Sequence, residues 1–553
     1  MKLEGKLELT WVGKYEEKKY EPRILIEDKS KSYGDPNTEN MLIHGDNLLA
    51  LKALEKDFAG KIKCIYIDPP YNTGSRIDAD GKEIGYDDNL EHSIWLNMMK
   101  PRLELLRSLL SDQGVIAIEI DDNELAYLKV LCDEIFGRKN FVSMLTIESG
   151  EVFGKKAAHI NKTYVKVKDY ILIYKKNIDY ELSIKPLWTK TAEPFDSHYS
   201  TYIDTDSLQK TSFLTILKSS DKICKMFEQF KLKINLNNVS LLMNLDDEFS
   251  RLMTKEFADK IFQDQPLTAN LGSFVDSMEA NKIYKRNGKL VFKTSGGTVR
   301  YYQPFSDALH YTDDYIQEYC RSTARGDLWK NYHTDMRNID DEGQVKFKSS
   351  KKSERLIRDL LYSLTEENDY ILDSFLGSGT TMAVAHKMKR KWIGIEMGGH
   401  AYSHCKKRID SIINGVDLSG ITKRENWQGG GGYKFYELAE SLLVKNDKLP
   451  IYQLNPKYTF DMVCEAICKI EGFDYQKIGE FHGKSSENRF IHITTEFVNA
   501  DYIKTITKSL SEKQSLLIYS TKIQTGLVLP DNVVVKKIPK DLLKKCKFES
   551  EVK

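Results

Sequence analysis

Ile62-Lys-Cys-Ile-Tyr-Ile-Asp-Pro-Pro-Tyr71, followed by Asn72, Thr73 and Gly74, is the stretch on which the fold turns. Its apolar run, Ile62–Ile67, is short and bounded by turn residues, the pattern of a buried strand. Asp68, Pro69, Pro70 and Tyr71 then stand where that strand opens into a loop, the usual place for active sites on parallel sheets. The set suits chemistry on a planar amino-heterocycle. A carboxylate and a backbone carbonyl can accept hydrogen bonds from an exocyclic amine, prolines fix the backbone that aims the carbonyl, and the tyrosine can stack on the ring.

Outward from this stretch the same rhythm repeats. Residues 41–48 form a strand ending in Gly45-Asp46-Asn47, with a helix from about Leu48 to Phe58. Residues 75–92 are polar, acidic and glycine-containing, and read as a mobile loop. A helix near 93–112 carries Leu96, Met99, Leu103, Leu106 and Leu110 at helical spacing. Gly114 begins another strand, ending in Asp121 and Asp122, and Asn123 is placed to cap a helix running to about Phe136. Further strands are expected at Val142–Ile147 and Asp169–Tyr174. Strands alternating with helices indicate an α/β fold with a parallel sheet.

The pattern breaks between about 180 and 340, where polarity is mixed and no period is sustained, as in an inserted domain. It returns at Tyr370-Ile-Leu-Asp-Ser-Phe-Leu-Gly-Ser-Gly-Thr-Thr381, followed by a helix, the strand Lys391–Glu396 and a helix to about Ile413. The glycine run Gly429–Gly432 reads as a linker or tight turn. Beyond it, strand-like runs at Leu516–Tyr519 and Val533–Val535 suggest a small separate domain. The expected boundaries are 1–180, 181–345, 346–428 and 429–553.

Length and composition agree with several domains. A chain of 553 residues is too long for one ordinary core, and 41% apolar with 29% charged residues is a soluble globular composition. The N-terminus is too charged for a signal peptide, and no apolar stretch is long enough to span a bilayer. The eight cysteines are scattered, with Cys464/Cys468 as the one close pair, so they are expected to be reduced, in a cytoplasmic protein with no metal site. A net charge of +1 argues against a uniformly basic nucleic-acid binder but leaves room for a local basic groove.

The second chemical signal is Asp373-Ser-Phe375-Leu-Gly377-Ser-Gly379-Thr380, between a strand and a helix, where glycines let a cofactor approach the backbone. A glycine turn can also be only a tight connection. Here Glu396 closes the next strand, well placed to accept hydrogen bonds from ribose hydroxyls, and the pair favours a nucleoside-containing cofactor. No Walker lysine follows, which excludes a P-loop.

Together, Asp68–Tyr71 and Phe375–Gly379 resemble S-adenosylmethionine-dependent amino-methyltransferases acting on DNA. With the tetrapeptide ahead of the cofactor loop, the order is that of the permuted β class of N6-adenine methyltransferases. Leu9–Lys14, Ile43–Leu48, Ile65–Gly74, Ile118–Glu124, Ile135–Gly137 with Asn140–Val142, Asp169–Tyr174, Gly326–Trp329 and Gly429–Tyr436 are similar to the modification subunit of type III restriction–modification systems. The match covers most of 1–180 and 326–440. The resemblance implies a Rossmann-like methyltransferase sheet in permuted order, an inserted target-recognition domain, S-adenosyl-L-methionine as cofactor, double-stranded DNA as substrate, a restriction (helicase–nuclease) partner and a homodimer.

It also implies roles. Asp68 and the Pro69 carbonyl would bind the target amine, with Pro70 fixing the loop and Tyr71 stacking on the extruded base. Asp373, Phe375, Gly377, Gly379 and Thr380 would line the methionine end of the cofactor, beside Asp68. Glu396 would hold the ribose and Asp46 the adenine amine, although Asp46 equally suits a helix N-cap. The family often has Lys-Pro-Glu-x-Leu where this chain has Lys352-Ser353-Glu354-Arg355-Leu356, so Lys352 is a cofactor candidate whose other reading is the exposed first turn of a helix.

Basic clusters at Lys155/Lys156, Lys162/Lys166 and Lys387/Lys389/Arg390/Lys391 read as solvated faces, except that the first two alternate with tyrosines and suit DNA phosphate contact. Tyr284, Tyr301 and Tyr302 read as core. Asp121-Asp122 reads as a structural strand end. Three alternatives stay open: a stand-alone methyltransferase, an N4-cytosine enzyme, and a recognition subunit that mainly serves a partner nuclease–helicase.

Overall fold

The computed structural model describes residues 8–16, 19–73, 91–152, 160–268, 271–337, 339–347, 351–446, 448–486, 488–511 and 513–548. Their contacts divide them into two units, one from residues up to 184 together with those from 327 onward, the other from 185 to 326.

The first unit is organised by a sheet of eleven strands among the described residues. In chain order these are β1 (Leu25–Glu27), β2 (Tyr33–Gly34), β3 (Met41–His44), β4 (Ile62–Ile67), β5 (Leu110–Ile120), β6 (Phe141–Glu148), β7 (Lys168–Lys175), β8 (Leu328–Trp329), β9 (Tyr370–Asp373), β10 (Lys391–Glu396) and β11 (Gly432–Leu438). In space they run β1-β11-β3-β10-β9-β4-β5-β7-β6-β8, with β2 also on β11. The six strands from β11 to β5 are parallel. The wholly parallel sheet expected from the sequence is corrected at its flanks, where β7 lies antiparallel between β5 and β6, and β1 and β2 lie antiparallel on β11. Antiparallel neighbours need no helical crossover, and among the described residues no helix lies between β6 and β7.

Helices α1 (Asn47–Phe58), α2 (His92–Leu109), α3 (Leu125–Cys132), α4 (Glu354–Leu364), α5 (Thr380–Lys387) and α6 (Lys407–Ile413) accompany the sheet. Helix α2 buries Trp95, Leu96, Met99, Leu103, Leu106 and Leu109, a stripe at helical spacing, into a core with Ile65, Ile67, Ile116, Ile118, Leu372 and Ile393. Each such fully buried large side chain contributes about 1.5–3 kcal/mol relative to exposure. The expected mobile loop over 75–92 lies outside the described residues up to 90; Glu91 and His92 open α2.

Two local expectations are corrected. Asn123 does not cap α3: its amide donates to Asp121 Oδ2 at 2.9 Å, and the helix starts after Glu124. Both the backbone N–H and the side-chain amide of Asn123 donate to Asp121, a local turn that holds Asn123 one residue ahead of the N-cap position, Glu124. The helix then loosens at Asp133–Gly137 into a wide turn. The segment from 429 onward is not all separate, because β11 joins the main sheet beside β3. Gly429, Gly430 and Gly431 all have positive φ, and a Cβ at Gly432 would lie 2.3 Å from Asp35 N. The glycine run is thus a tight turn against the β2 segment, not a linker. After it, helix Phe460–Glu471 and strands Asp474–Ile478, Phe481–Ser486, Arg489–Val498, Ser515–Ile523 and Val533–Lys537 form a five-stranded sheet with its own core.

The second unit holds a six-stranded antiparallel sheet, in the order Lys210–Ser212, Thr201–Ile203, Ile261–Pro266, Val299–Pro304, Lys289–Lys293 and Ile283–Arg286. Helices Phe213–Ser219, Asp221–Gln229 and Leu236–Leu245 pack with Phe195, Phe213, Phe227 and Phe305 in a second core. Tyr302 is buried and stacked on Phe292 at 4.5 Å, a core residue. The expected span of 181–345 narrows to 185–326, because Leu328–Trp329 already pairs with β6. In this unit Trp188–Lys190 pairs with Tyr319–Ala324, so its two ends leave side by side. No helix among the described residues is long and apolar enough to cross a membrane.

Candidate active site

The sheet order brings the two sequence signals together. Ile371 and Leu372 of β9 pair with Cys64 and Ile65 of β4, so Asp373 and Asp68 end neighbouring parallel strands. Glu396 ends β10 and pairs with His44 of β3, just before Asp46. Four carboxylates, Asp68, Asp373, Glu396 and Asp46, thereby follow the carboxyl ends of four adjacent strands, the edge where parallel sheets bind ligands.

At β4 the loop is held from below. Trp95 donates Nε1–H to the Pro70 carbonyl at 2.8 Å, and Asn72, at φ +58°, donates its amide to the buried Glu124 at 2.7 Å. Pro69 is buried. Around Asp68 and Tyr71 the dominant group is Lys352. Its ammonium donates to Tyr71 Oη at 2.5 Å and to Glu119 Oε1 at 2.8 Å, and lies 3.3 Å from Asp68 Oδ1. The contact with Asp68 is an ion pair without hydrogen-bond alignment, since Oδ1 is a buried oxygen with no hydrogen-bond partner. The Lys352 ammonium also lies 4.8 Å from the Tyr71 ring centroid, with Lys166 at 5.8 Å. The Asp68 side chain as a whole remains 19% exposed, although its Oδ1 is buried.

Burial pushes the Asp68 carboxyl up to about 7; Lys352 opposes the shift and Glu119 adds to it. Burial acts against the Lys352 ammonium, but Asp68, Glu119 and Asp169 outweigh it and raise its pKa. Lys352 is therefore a cation at neutral pH. It sits among the side chains of the loop after β4, and the reading of this segment as an exposed first turn is corrected. Ser353 caps α4 by accepting from Leu356 N, and Glu354 is fully buried against Arg408 and Lys387, each at 2.8 Å. These two buried cations fix the start of the helix without a proline.

The second half of the site is the glycine loop. Asp373 is buried, accepting from Phe375 N at 2.9 Å and from Thr381 Oγ1 at 2.6 Å; burial pushes it up to about 7. Phe375 packs partly buried on the sheet core. Gly377 and Gly379 take φ of +53° and +79°. A Cβ added at Gly377 would meet no atom nearer than 3.8 Å, so that face of the loop is open. Glu396 fastens the loop, accepting from Gly377 N and Gly398 N at 2.8 Å each, and burial raises its pKa. Thr380 is buried, its hydroxyl engaged by Arg408 and donating to the Lys352 carbonyl at 3.2 Å. Asp46 acts as the N-cap of α1, accepting from Leu49 N at 3.1 Å, with Arg102 at 3.4 Å from its other oxygen.

Of the lysines singled out for phosphate, Lys155 and Lys156 lie outside the described residues. Lys162 is exposed. Lys166 is paired with Asp121 at 2.9 Å and Asp169 at 3.0 Å, at the rim of the Tyr71 pocket. Asp121 is buried at its strand end, and Asp122 pairs with Lys168. The cluster at 387–391 is a solvated face only in part: Lys389 is exposed, but Lys387 is buried between Glu354 and Asp417, and Arg390 is buried too. Sequence reasoning missed Glu119, which the buried Tyr66 hydroxyl also contacts. Its signal was available: Glu119 is the one charge in the apolar run Val115–Ile120.

A DNA methylase family model, covering N6 and N4 methyltransferases, matches residues 62–407. The chain belongs to this DNA methylase family. Among curated relatives it is 34% identical to the probable type III restriction–modification enzyme HindVI Mod subunit of Haemophilus influenzae, over 75% of this chain and 55% of that protein. It is 28% identical to the EcoPI Mod subunit of Escherichia phage P1, over 68% and 60%, and 27% identical to the type II methyltransferase M.EcaI of Enterobacter cloacae, over 67% and 69%. The chain thus spans little more than half the length of the two Mod subunits. Both sequence signals of this DNA methylase, at β4 and β9, fall inside the matched region.

Proposed function

We propose that this protein methylates the exocyclic N6 amine of adenine in double-stranded DNA, with S-adenosyl-L-methionine as donor, as the modification and recognition subunit of a type III restriction–modification system acting in the cytoplasm. The observation that carries this reading is the placement of the partly exposed Asp68 carboxyl beside Tyr71, one strand from an open glycine loop. The Mod-subunit names of two relatives support the restriction setting.

The residues present fit the donor. Gly377 leaves open space beside the loop, Glu396 has the chemistry to accept from ribose hydroxyls, and Ser374 Oγ is buried in the loop without a partner. Asp373 and Phe375 would border the methionine end, Thr380 would hold the loop from beneath, and Asp46 would face the adenine. When bound, the sulfonium supplies an electrophilic methyl group to the amine nitrogen.

The rest is done by this chain. The adenine amine is a weak nucleophile because its lone pair is delocalised into the ring. Donating one N–H to Asp68 and the other to the Pro69 carbonyl draws the nitrogen toward tetrahedral geometry and stabilises its developing positive charge. The base must leave the duplex stack, at a cost of a few kcal/mol. Tyr71 offsets part of this, since base–aromatic stacking contributes about 1–3 kcal/mol. The unit from 185 to 326 would read the target sequence, and Lys155, Lys156, Lys162 and Lys166 would contact phosphate. The separate five-stranded sheet at the C-terminal end is material beyond methyl transfer, suited to a restriction partner or a second copy.

Expression in a methylation-free host with long-read detection of modified bases tests the reading. The expected result is N6-methyladenine at one short sequence, abolished in Asp68→Ala with fold and most duplex affinity retained. N4-methylcytosine, or full turnover by Asp68→Ala, would overturn it.

A further inference from the structure

We propose that Glu119 and Lys352 form a positioning pair that holds Tyr71 and Asp68 in register for the incoming base. This deepens, and rests on, the methyl-transfer reading. Glu119 is 1% exposed and projects from a strand whose neighbours Val115, Ile116, Ala117, Ile118 and Ile120 are all buried. An isolated carboxylate there would be costly to bury. It is retained with two partners, the Tyr66 hydroxyl and the Lys352 ammonium, one on each oxygen.

Lys352 passes the constraint on. With Glu119 as anchor, its ammonium fixes the far end of Tyr71 through the phenol oxygen and stands 3.3 Å from Asp68 Oδ1. Its backbone carbonyl meanwhile accepts from Thr380 Oγ1, the first residue of α5 after the glycine loop. One residue is therefore tied by its main chain to the loop on β9 and by its side chain to the loop on β4. Lys352 points to the acceptor side, so the pair acts on the base-binding groups and not on the cofactor.

The arrangement has an electrostatic signature. Lys352 and Glu119 act on Asp68 with opposite signs, while Tyr66, Tyr71, Asp169, Lys166 and Asp373 complete the titratable surroundings. Removing the cation favours the protonated form of Asp68, and removing the anion disfavours it. A purely structural role would cost stability in both variants without moving the pH profile in opposite directions.

The test uses the full chain with Lys352→Met, Lys352→Arg and Glu119→Gln. Three readouts are taken: single-turnover methylation against pH, calorimetric binding of S-adenosyl-L-methionine, and crystal structures of the variants. Lys352→Met and Glu119→Gln are expected to lower kcat by about 100-fold, the scale of an ångström-sized misplacement. Donor affinity should stay within about threefold. The acid limb should move up in Lys352→Met and down in Glu119→Gln, and stay in place in Lys352→Arg, which keeps the charge. In the structures Tyr71 should rotate away from its wild-type position in the first and last of the three variants. Unchanged Tyr71 and Asp68 positions would overturn the proposal, as would a loss confined to donor affinity. If the wild type itself transferred no methyl group, the methyl-transfer reading would fail while the Tyr71 position still decided the pair. If Lys352→Met did not fold, Glu119→Gln and Lys352→Arg would decide it.

Discussion

Replacing Asp68 by asparagine should change stability in a way that depends on pH, and the size of the effect follows from the site. Burial lifts the folded-state pKa of this carboxyl from the ordinary 3.8 to about 7. A raised carboxyl pKa means that the folded protein holds the proton more tightly than the unfolded chain. The associated stability is complete below the unfolded value, near pH 4, and is lost as pH rises through about 7. Raising the value from 3.8 to about 7 corresponds to roughly 4 kcal/mol at full ionisation. An uncharged carboxamide at the same position carries no such penalty. In urea unfolding, Asp68→Asn should therefore exceed wild type by a few kcal/mol at pH 8 and match it at pH 4. Under the proposed reaction activity runs the other way, because the carboxylate is a stronger acceptor for the amine than the protonated carboxyl. At pH 6 about one-tenth of Asp68 is ionised and at pH 8 about nine-tenths, so wild-type turnover should rise about tenfold between them. A stability gap independent of pH, or a flat rate profile across this range, would refute the reasoning.

Other substitutions probe the supports of the site. Gly379→Ala places a side chain at φ +79° and 2.5 Å from the end of Met382, a movable group, so the backbone dominates; a loss of about 1–2 kcal/mol is expected by chemical denaturation. Glu354→Gln leaves Arg408 and Lys387 without their shared buried carboxylate, and thermal and urea unfolding should show a loss of about 3–5 kcal/mol. Trp95→Phe strips the Pro70 carbonyl of its donor at the catalytic loop, costing about 1–3 kcal/mol in the same assay, with turnover reduced more than donor binding.

What the sequence could reveal followed the range of the forces involved. β3, β4, β9 and β10 were legible because each is an apolar run closed by a turn residue, and the two site loops were legible because their residue types are tied to chemistry. The unit from 185 to 326 was not, since its strands are three to six residues long and four α-helices intervene between Ser212 and Ile261. Alternation over three residues carries almost no signal. Lys387 looked solvated because its partners, Glu354 and Asp417, lie about 30 residues away on either side. Asn123 looked like a cap because nothing in the sequence shows that it is held in a turn by donating to Asp121, one residue short of the helix start. The role of Lys352 was misplaced for a related reason: Tyr71 and Glu119 lie more than 230 residues before it.

The adjacent ends of the second unit bear on how the chain finds this sheet at all. β4 and β9 are neighbours some 300 residues apart in sequence, and closing so long a loop is slow even where its entropy rises only with the logarithm of length. The inserted unit shortens the search. Once it has folded, Arg325 N donates to the Leu187 carbonyl at 2.7 Å, and nearly 140 residues span the distance of one hydrogen bond. The polymer that must still be closed is then much shorter than the chain, and the late half of the catalytic edge is delivered almost where the early half left off.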